Sequence, residues 1–181
     1  VNLLPRIAAY LRDRNVPCAL IGGDALAVHG VSRATLDQDL LAVDARVLDT
    51  KTWEGLAEPS LDIDIRRGDA DDPLRGVVRI TGSKAERPLD LVVGRYQWQE
   101  RAIARATLVT LDEGVDVPVV QARDLVLLKL YAGGPQDAWD IQRLLGASAS
   151  NAALMAEVEA DVSVLPRRCV DLWKQISHSH L

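Results

Sequence analysis

The spacing of apolar residues turns wholly helical near residue 121, and the change limits the folds open to this chain. Up to that point most apolar residues come in short runs bounded by turn signals: Cys18–Ile21, residues 37–43, Leu61–Arg66, Gly76–Ile80, Leu89–Val93, Leu108–Leu111 and Val117–Val120. Runs this short, ended by Gly, Pro or Asp, read as strands. Helical spacing interrupts them over residues 2–14 (Leu3, Leu4, Ile7, Ala8, Leu11), in a short segment from Asp24 to Val28, over Ala45–Leu56 and over Tyr96–Ala106. Asp112-Glu113-Gly114 reads as a hairpin turn. From Ala122 the spacing is helical to the end, over 122–132, 137–145 and two further helices, with Gly133-Gly134-Pro135 separating the first pair. Strands first and helices last predict an α+β chain. The expected division is a sheet-bearing core over 1–121 and a helical region over 122–181.

At 181 residues with 48% hydrophobic and 26% charged side chains, the chain has material for a packed core. Only 4% of it is aromatic, with no Phe, so the expected core is aliphatic. A net charge of −5 argues against broad coating of nucleic acid. No apolar run approaches the ~20 residues of a membrane helix. The opening stretch, broken by Arg6, Arg12 and Arg14, does not read as a signal peptide. Cys18 and Cys169 form no metal-like pair, so two free thiols in a reducing, cytoplasmic setting are expected.

The chemically informative segment runs from Ile21 to Leu41. Gly22-Gly23 lies between a strand and a helix, where glycine lets backbone approach a ligand and where unpaired N–H groups suit phosphate. Asp37 and Asp39 are two residues apart in a strand, hence on one face. Their Cα atoms are then roughly 6.6 Å apart, close enough that the carboxylates repel unless a cation lies between them. Hard oxygen ligands on one face suit Mg²⁺ or Mn²⁺. Two such ions about 3.5–4 Å apart clamp an in-line phosphoryl displacement. A third acid is expected. Asp90 is a lone charge in the apolar strand Leu89–Val93, which requires a partner or an outward face. Asp62 and Asp64 are its rivals, although their alternation with Leu61, Ile63 and Ile65 is also what a half-exposed strand shows.

Gly22-Gly23, then Asp37-x-Asp39, then a later strand Asp resembles the DNA polymerase β-like nucleotidyltransferases. A narrower match includes Ala25-Leu26, His29-Gly30, Arg33-x-Thr35, Asp124-Leu125, Lys129-Leu130 and Gly133-Gly134-Pro135-Gln136-Asp137-x-x-Asp140-Ile141. That pattern is similar to the AbiEii-type nucleotidyltransferases, a group that includes toxins of toxin–antitoxin and abortive-infection systems. The resemblance implies a nucleotidyltransferase fold: a mixed β-sheet flanked by helices, with a C-terminal helical bundle. It implies transfer of a nucleoside monophosphate from an NTP to a hydroxyl, with Mg²⁺ or Mn²⁺ as cofactor. Gly22 and Gly23 would hold the triphosphate, and Asp37, Asp39 and Asp90 the metals, Asp90 also taking the acceptor's proton. Arg33, Thr35 and Lys129 would sit at the phosphates; Asp137 would orient Lys129 or touch the acceptor. Implied acceptors are a tRNA 3′ end, a protein side chain or a small molecule such as an aminoglycoside, and a cognate antitoxin is an implied partner.

Two residues depart from the pattern: polar Gln38 between the acids, and Asp24 beside the glycines. They support a second reading, a lapsed binding module of the same fold. A dinucleotide-binding protein is a poor third, because no G-x-G-x-x-G follows the first strand. Ordinary readings cover other features. The Gly68–Asp72 loop lacks the spacing of a calcium-binding loop and reads as a solvated turn. His29 reads as structural, and Trp139 and Trp173 as core residues. Lys129, among Leu125, Val126, Leu127, Leu128 and Leu130, must reach water or find an anion.

Overall fold

A computed structural model describes residues 3–56, 60–84, 86–111 and 114–178. Two compact units emerge: residues 1–24 with 34–120, and residues 25–33 with 121–181. Residues 25–33, inside the sequence-defined core, thus cluster with the helical part of the chain.

The first unit is built on one seven-stranded mixed sheet. Its strands are β1 (Cys18–Ile21), β2 (Gln38–Ala42), β3 (Asp62–Arg67), β4 (Gly76–Thr81), β5 (Leu89–Val93), β6 (Thr107–Leu111) and β7 (Val115–Val119), in the order β3-β4-β5-β2-β1-β7-β6. β2 runs parallel to β5, and β1 parallel to β7; the other neighbours are antiparallel. The apolar runs are therefore strands, as their length and boundaries predict. Asp112 and Glu113 of the expected hairpin lie outside the described residues; Gly114, with φ of 71°, adopts the left-handed conformation such a turn uses.

Alternation along the strands separates two faces. Leu40, Val78, Ile80, Leu89, Leu91 and Val93 are buried on one of them. Helix α1 (Leu3–Asp13) lays Leu3, Leu4, Ile7, Ala8 and Leu11 inward and packs on β1 and β7. Helix α3 (Gln97–Ala104) packs on β2, its start held by Gln99, whose Oε1 accepts from the N–H groups of Arg95 and Tyr96 at 2.9 and 3.0 Å.

Ala45–Leu56 is not a continuous α-helix. It forms two 3₁₀ segments, Ala45–Leu48 and Thr50–Leu56. Asp44 and Asp49 account for the break. Asp44 Oδ1 accepts from Arg46 N–H, Asp49 Oδ1 accepts from Lys51 N–H, and Asp49 itself is extended at ψ 130°. Short acids that bond neighbouring backbone compete with a regular helix.

Helix α2 (Gly22–Val28) begins in the first unit and carries the chain into the second. Gly30, at φ 83°, ends it in a left-handed cap, with Val31 N–H bonded to Leu26 O. The second unit also contains α4 (Ala122–Ala132), α5 (Pro135–Ala147), α6 (Asn151–Asp161) and α7 (Arg167–His178). Gly133 closes α4 at φ 71°, and Pro135 opens α5, the usual asymmetry of helix ends. Leu127, Leu130, Ile141, Leu144, Leu145, Val158 and Trp173 form its core. Trp139 does not join them. It is 42% exposed, and the Arg143 guanidinium lies over its ring at 4.8 Å. One helical turn cannot bury Trp139 while Asp140 and Ile141 take the inward positions.

No described helix is long and apolar enough to cross a membrane. Cys18 and Cys169 are free and buried, and burial pushes the Cys18 thiol up to about 11.

Candidate active site

β2 and β5 pair in register, Asp39 opposite Asp90, and β5 pairs with β4, Asp90 opposite Arg79. β4 in turn sets Arg79 opposite Asp64 of β3. Paired residues in a sheet share a face, so Asp64, Arg79, Asp90 and Asp39 form one row across four strands. Asp37, two residues before Asp39, lies at the start of the same face. Two acids 51 positions apart in sequence are thereby brought side by side, which is the arrangement expected of Asp39 and Asp90.

The cation facing them is a protein group. Arg79 Nη1 donates to Asp90 Oδ2 at 2.8 Å and lies 3.8 Å from Asp37 Oδ2. Asp90 Oδ1 is buried and has no hydrogen-bond partner. Burial pushes the Asp90 carboxyl above the ordinary range and the Asp37 charge adds to this, while the Arg79 and Arg66 guanidiniums pull it down. Asp64, the rival, is 48% exposed and pairs with Arg66 at 2.8 Å.

Gly22 and Gly23 are required by close approach. Gly22 has φ 67°, and a Cβ there would lie 2.0 Å from Asp39 Oδ2; a Cβ on Gly23 would lie 2.9 Å from Thr35 Cβ. The turn after β1 is therefore pressed against the Asp39 carboxylate and the Thr35 side chain. Thr35 Oγ1 donates to Asp37 O at 3.0 Å, fixing the entry to β2. Both departures from the sequence pattern have structural accounts. Gln38 points to the opposite face from Asp39 and is buried there, away from the acid row. Asp24 is neutralised by Arg87, whose Nη1 and Nη2 contact its carboxylate at 3.0–3.1 Å; Arg87 Nη2 also donates to Asp37 O at 2.6 Å.

The second unit holds a separate charge cluster. Asp140, fully buried, lies 2.7 Å from Lys129 Nζ and 3.2 Å from Arg33 Nε. Lys129 Nζ also donates to Asp137 Oδ1 at 3.0 Å, and Asp137 Oδ2 accepts from Gly134 N–H. Lys129 thus finds anions, as its apolar neighbours require, and Asp137 contacts it directly.

Arg79, Arg87 and Asp140 carry no role in the sequence reading. Arg79 shows the same signal that singles out Asp90, a lone charge in an apolar strand, but only strand register reveals that the two meet.

Among the described residues no three His, Cys, Asp or Glu side chains gather into a metal-holding group. The donor chemistry still fits a hard divalent cation: carboxylates from adjacent strands share one face, and one of their buried oxygens lacks a partner. Arg79 is ion-paired with two of the acids, Asp90 and Asp37.

No protein-family model matches the sequence, and none of the curated proteins matches it either. Solved structures do. The chain is similar to an antigenic nucleotidyltransferase-like protein from Paracoccidioides brasiliensis (TM-score 0.55, 19% identity, 97% of this chain and 90% of that one). It is similar to ANT(2″)-Ia in complex with adenylyl-2″-tobramycin (TM-score 0.56, 19% identity, 90% and 96%) and to the solution structure of ANT(2″)-Ia (TM-score 0.53, 19% identity, 98% and 95%). The fold is the nucleotidyltransferase fold.

Proposed function

We propose that this protein is a divalent-metal-dependent nucleotidyltransferase that moves a nucleoside monophosphate from an NTP to a hydroxyl acceptor. The observation that carries the reading is the in-register placement of Asp39 and Asp90 on one face, with Asp37 beside them and the Gly22-Gly23 turn closed onto Asp39. The glycine turn is the proposed support for the triphosphate. Asp37, Asp39 and Asp90 would hold the divalent ions, which when bound supply charge neutralisation at the phosphates. The acceptor oxygen bonds the α-phosphorus as the bond to pyrophosphate breaks, pyrophosphate leaving with the electron pair. The hydroxyl proton would go to Asp90, whose buried Oδ1 has no hydrogen-bond partner. Thr35 and Arg87 hold the Asp37 carbonyl and thereby position β2. The roles of Arg33, Thr35, Lys129 and Asp137 toward the nucleotide, like the AbiEii-type assignment, the toxin role and the antitoxin, stay in this reading on the strength of the sequence resemblance.

Arg79 favours a second reading, a lapsed nucleotidyltransferase that binds without turnover, since its guanidinium already neutralises Asp90. One experiment separates the two. Each NTP is incubated with the protein, Mg²⁺, and separately total tRNA, a protein extract or an aminoglycoside, and pyrophosphate and label transfer are followed. Transfer that requires Asp39 supports the enzyme; no pyrophosphate release in any mixture supports the binding module.

A further inference from the structure

A cavity of about 330 Å³ opens beside Asp90, on the side away from Asp39, and its charged lining differs from the acid row. Arg66, Arg67 and Arg79 line it, with Asp72 and Asp90 as the acids. One oxygen of each acid is engaged. Asp72 Oδ2 accepts from Asp69 N–H at 2.8 Å, and Asp90 Oδ2 accepts from Arg79. The arginines retain donors. Arg66 uses its Nε on Asp64, and Arg67 uses one Nη2 bond to Leu48 O. A guanidinium carries five N–H groups, so both keep several for a ligand. The wall is built to last. Arg95 donates to the carbonyls of Asp69, Ala70 and Leu74 at 2.6–2.8 Å, and Asp69 Oδ1 accepts from Asp71 and Asp72 N–H. The loop is exposed, as a solvated turn is, and the Asp69 and Asp72 carboxylates accept from its own backbone.

We infer that this cavity is the acceptor subsite and that it takes a phosphate-bearing hydroxyl compound, the phosphate seated on Arg66 and Arg67 beside Asp90. The inference rests on the nucleotidyl-transfer reading. Planar guanidiniums suit phosphate oxygens through paired N–H bonds. A polycationic acceptor such as an aminoglycoside meets three arginines here against two carboxylates, Asp72 and Asp90. The cavity's size suits one sugar phosphate, and that unit is present both in a phosphorylated small molecule and at the end of a polynucleotide.

The test titrates the isotopically labelled full chain, without NTP or divalent ion, with ribose 5-phosphate, adenylyl-(3′→5′)-adenosine and tobramycin. NMR follows the amides of Gly68 and Gly76, both in the cavity lining. The phosphates are expected to shift these amides saturably, and Arg66→Glu to weaken them about tenfold or more. Arg66 is 76% exposed, so the variant should fold, and Arg66→Lys should restore part of the affinity. Tighter binding of the sugar phosphate identifies a small acceptor; tighter binding of the dinucleotide identifies a polynucleotide end. No shift with either phosphate, shifts with tobramycin alone, or affinity unchanged in Arg66→Glu overturns the inference, even where nucleotidyl transfer is intact. Saturable, Arg66-dependent phosphate binding without pyrophosphate release from any NTP upholds the anion site and removes the reaction.

Discussion

Gly22→Ala tests how tightly the glycine turn and the acid row depend on each other. The new Cβ would sit 2.0 Å from Asp39 Oδ2 and 2.8 Å from its Cγ. Contacts that short do not occur, so the Asp39 side chain rotates off its position or the turn backs away. Two costs follow. Holding Ala at φ 67° costs about 1–2 kcal/mol. Relieving the overlap costs about 1–3 kcal/mol, as for other overpacked sites. The expected destabilisation is about 2–5 kcal/mol, read as a lower denaturation midpoint of the isolated chain. Gly23→Ala is the internal control. Its Cβ would meet Thr35 Cβ at 2.9 Å, and Gly23 is not among the residues at positive φ. Only the overlap cost applies there, so it should destabilise less. Nucleotidyl transfer should fall further in Gly22→Ala than in Gly23→Ala, because only the former displaces a proposed metal ligand, Asp39. Equal midpoints for Gly22→Ala and the parent, or a larger loss for Gly23→Ala, would refute this account of the turn.

Asp140→Ala leaves Lys129 and Arg33 without their shared carboxylate, and breaking such a buried pair should cost about 3–5 kcal/mol in thermal or urea unfolding. Asp137→Ala removes the outer, part-exposed contact of Lys129 and the bond from Gly134 N–H, leaves no buried charge unpaired because Asp140 still faces Lys129, and should cost less. The Asp90 carboxyl titrates above its unfolded value, so its contribution to stability is greatest when protonated at low pH and is lost as pH rises through the raised pKa. Stability of the parent relative to Asp90→Asn should therefore decline from pH 4 to pH 7, measured by unfolding across about that range; a relative stability that rises with pH contradicts the burial account. Arg87→Ala unpairs Asp24 from Arg87 and leaves the Asp37 carbonyl with Thr35 Oγ1; the pair is part-exposed, so stability should change by about 1 kcal/mol or less while KM for the NTP rises.

Strand and helix spacing made most elements legible in the sequence, and Leu89–Val93 and Ala122–Ala132 coincide with their observed bounds. Ala45–Leu56 misled because apolar spacing does not report that Asp44 and Asp49 bond their own backbone. Trp139 misled because composition favours burying Trp, whereas its position on α5 is set by Asp140 and Ile141. The pairing of Asp39 with Asp90 was approachable, since each is an acid in an apolar strand. The contact of Arg79 with both Asp90 and Asp37 was not, because it depends on register between strands separated by loops. Gln38 faces away from the acids on the same physics: alternate residues of β2 face opposite sides.

The central claim is that Asp37, Asp39 and Asp90 mark where a metal-bound triphosphate sits. Paramagnetic broadening by Mn²⁺ in the presence of a non-hydrolysable ATP analogue locates that ion directly. The account predicts that the amides of Gly22, Asp39 and Asp90 broaden first, and that Asp39→Asn abolishes their broadening. Broadening centred on the Asp69–Asp72 loop or on Asp137 and Asp140, or unchanged in Asp39→Asn, would contradict it.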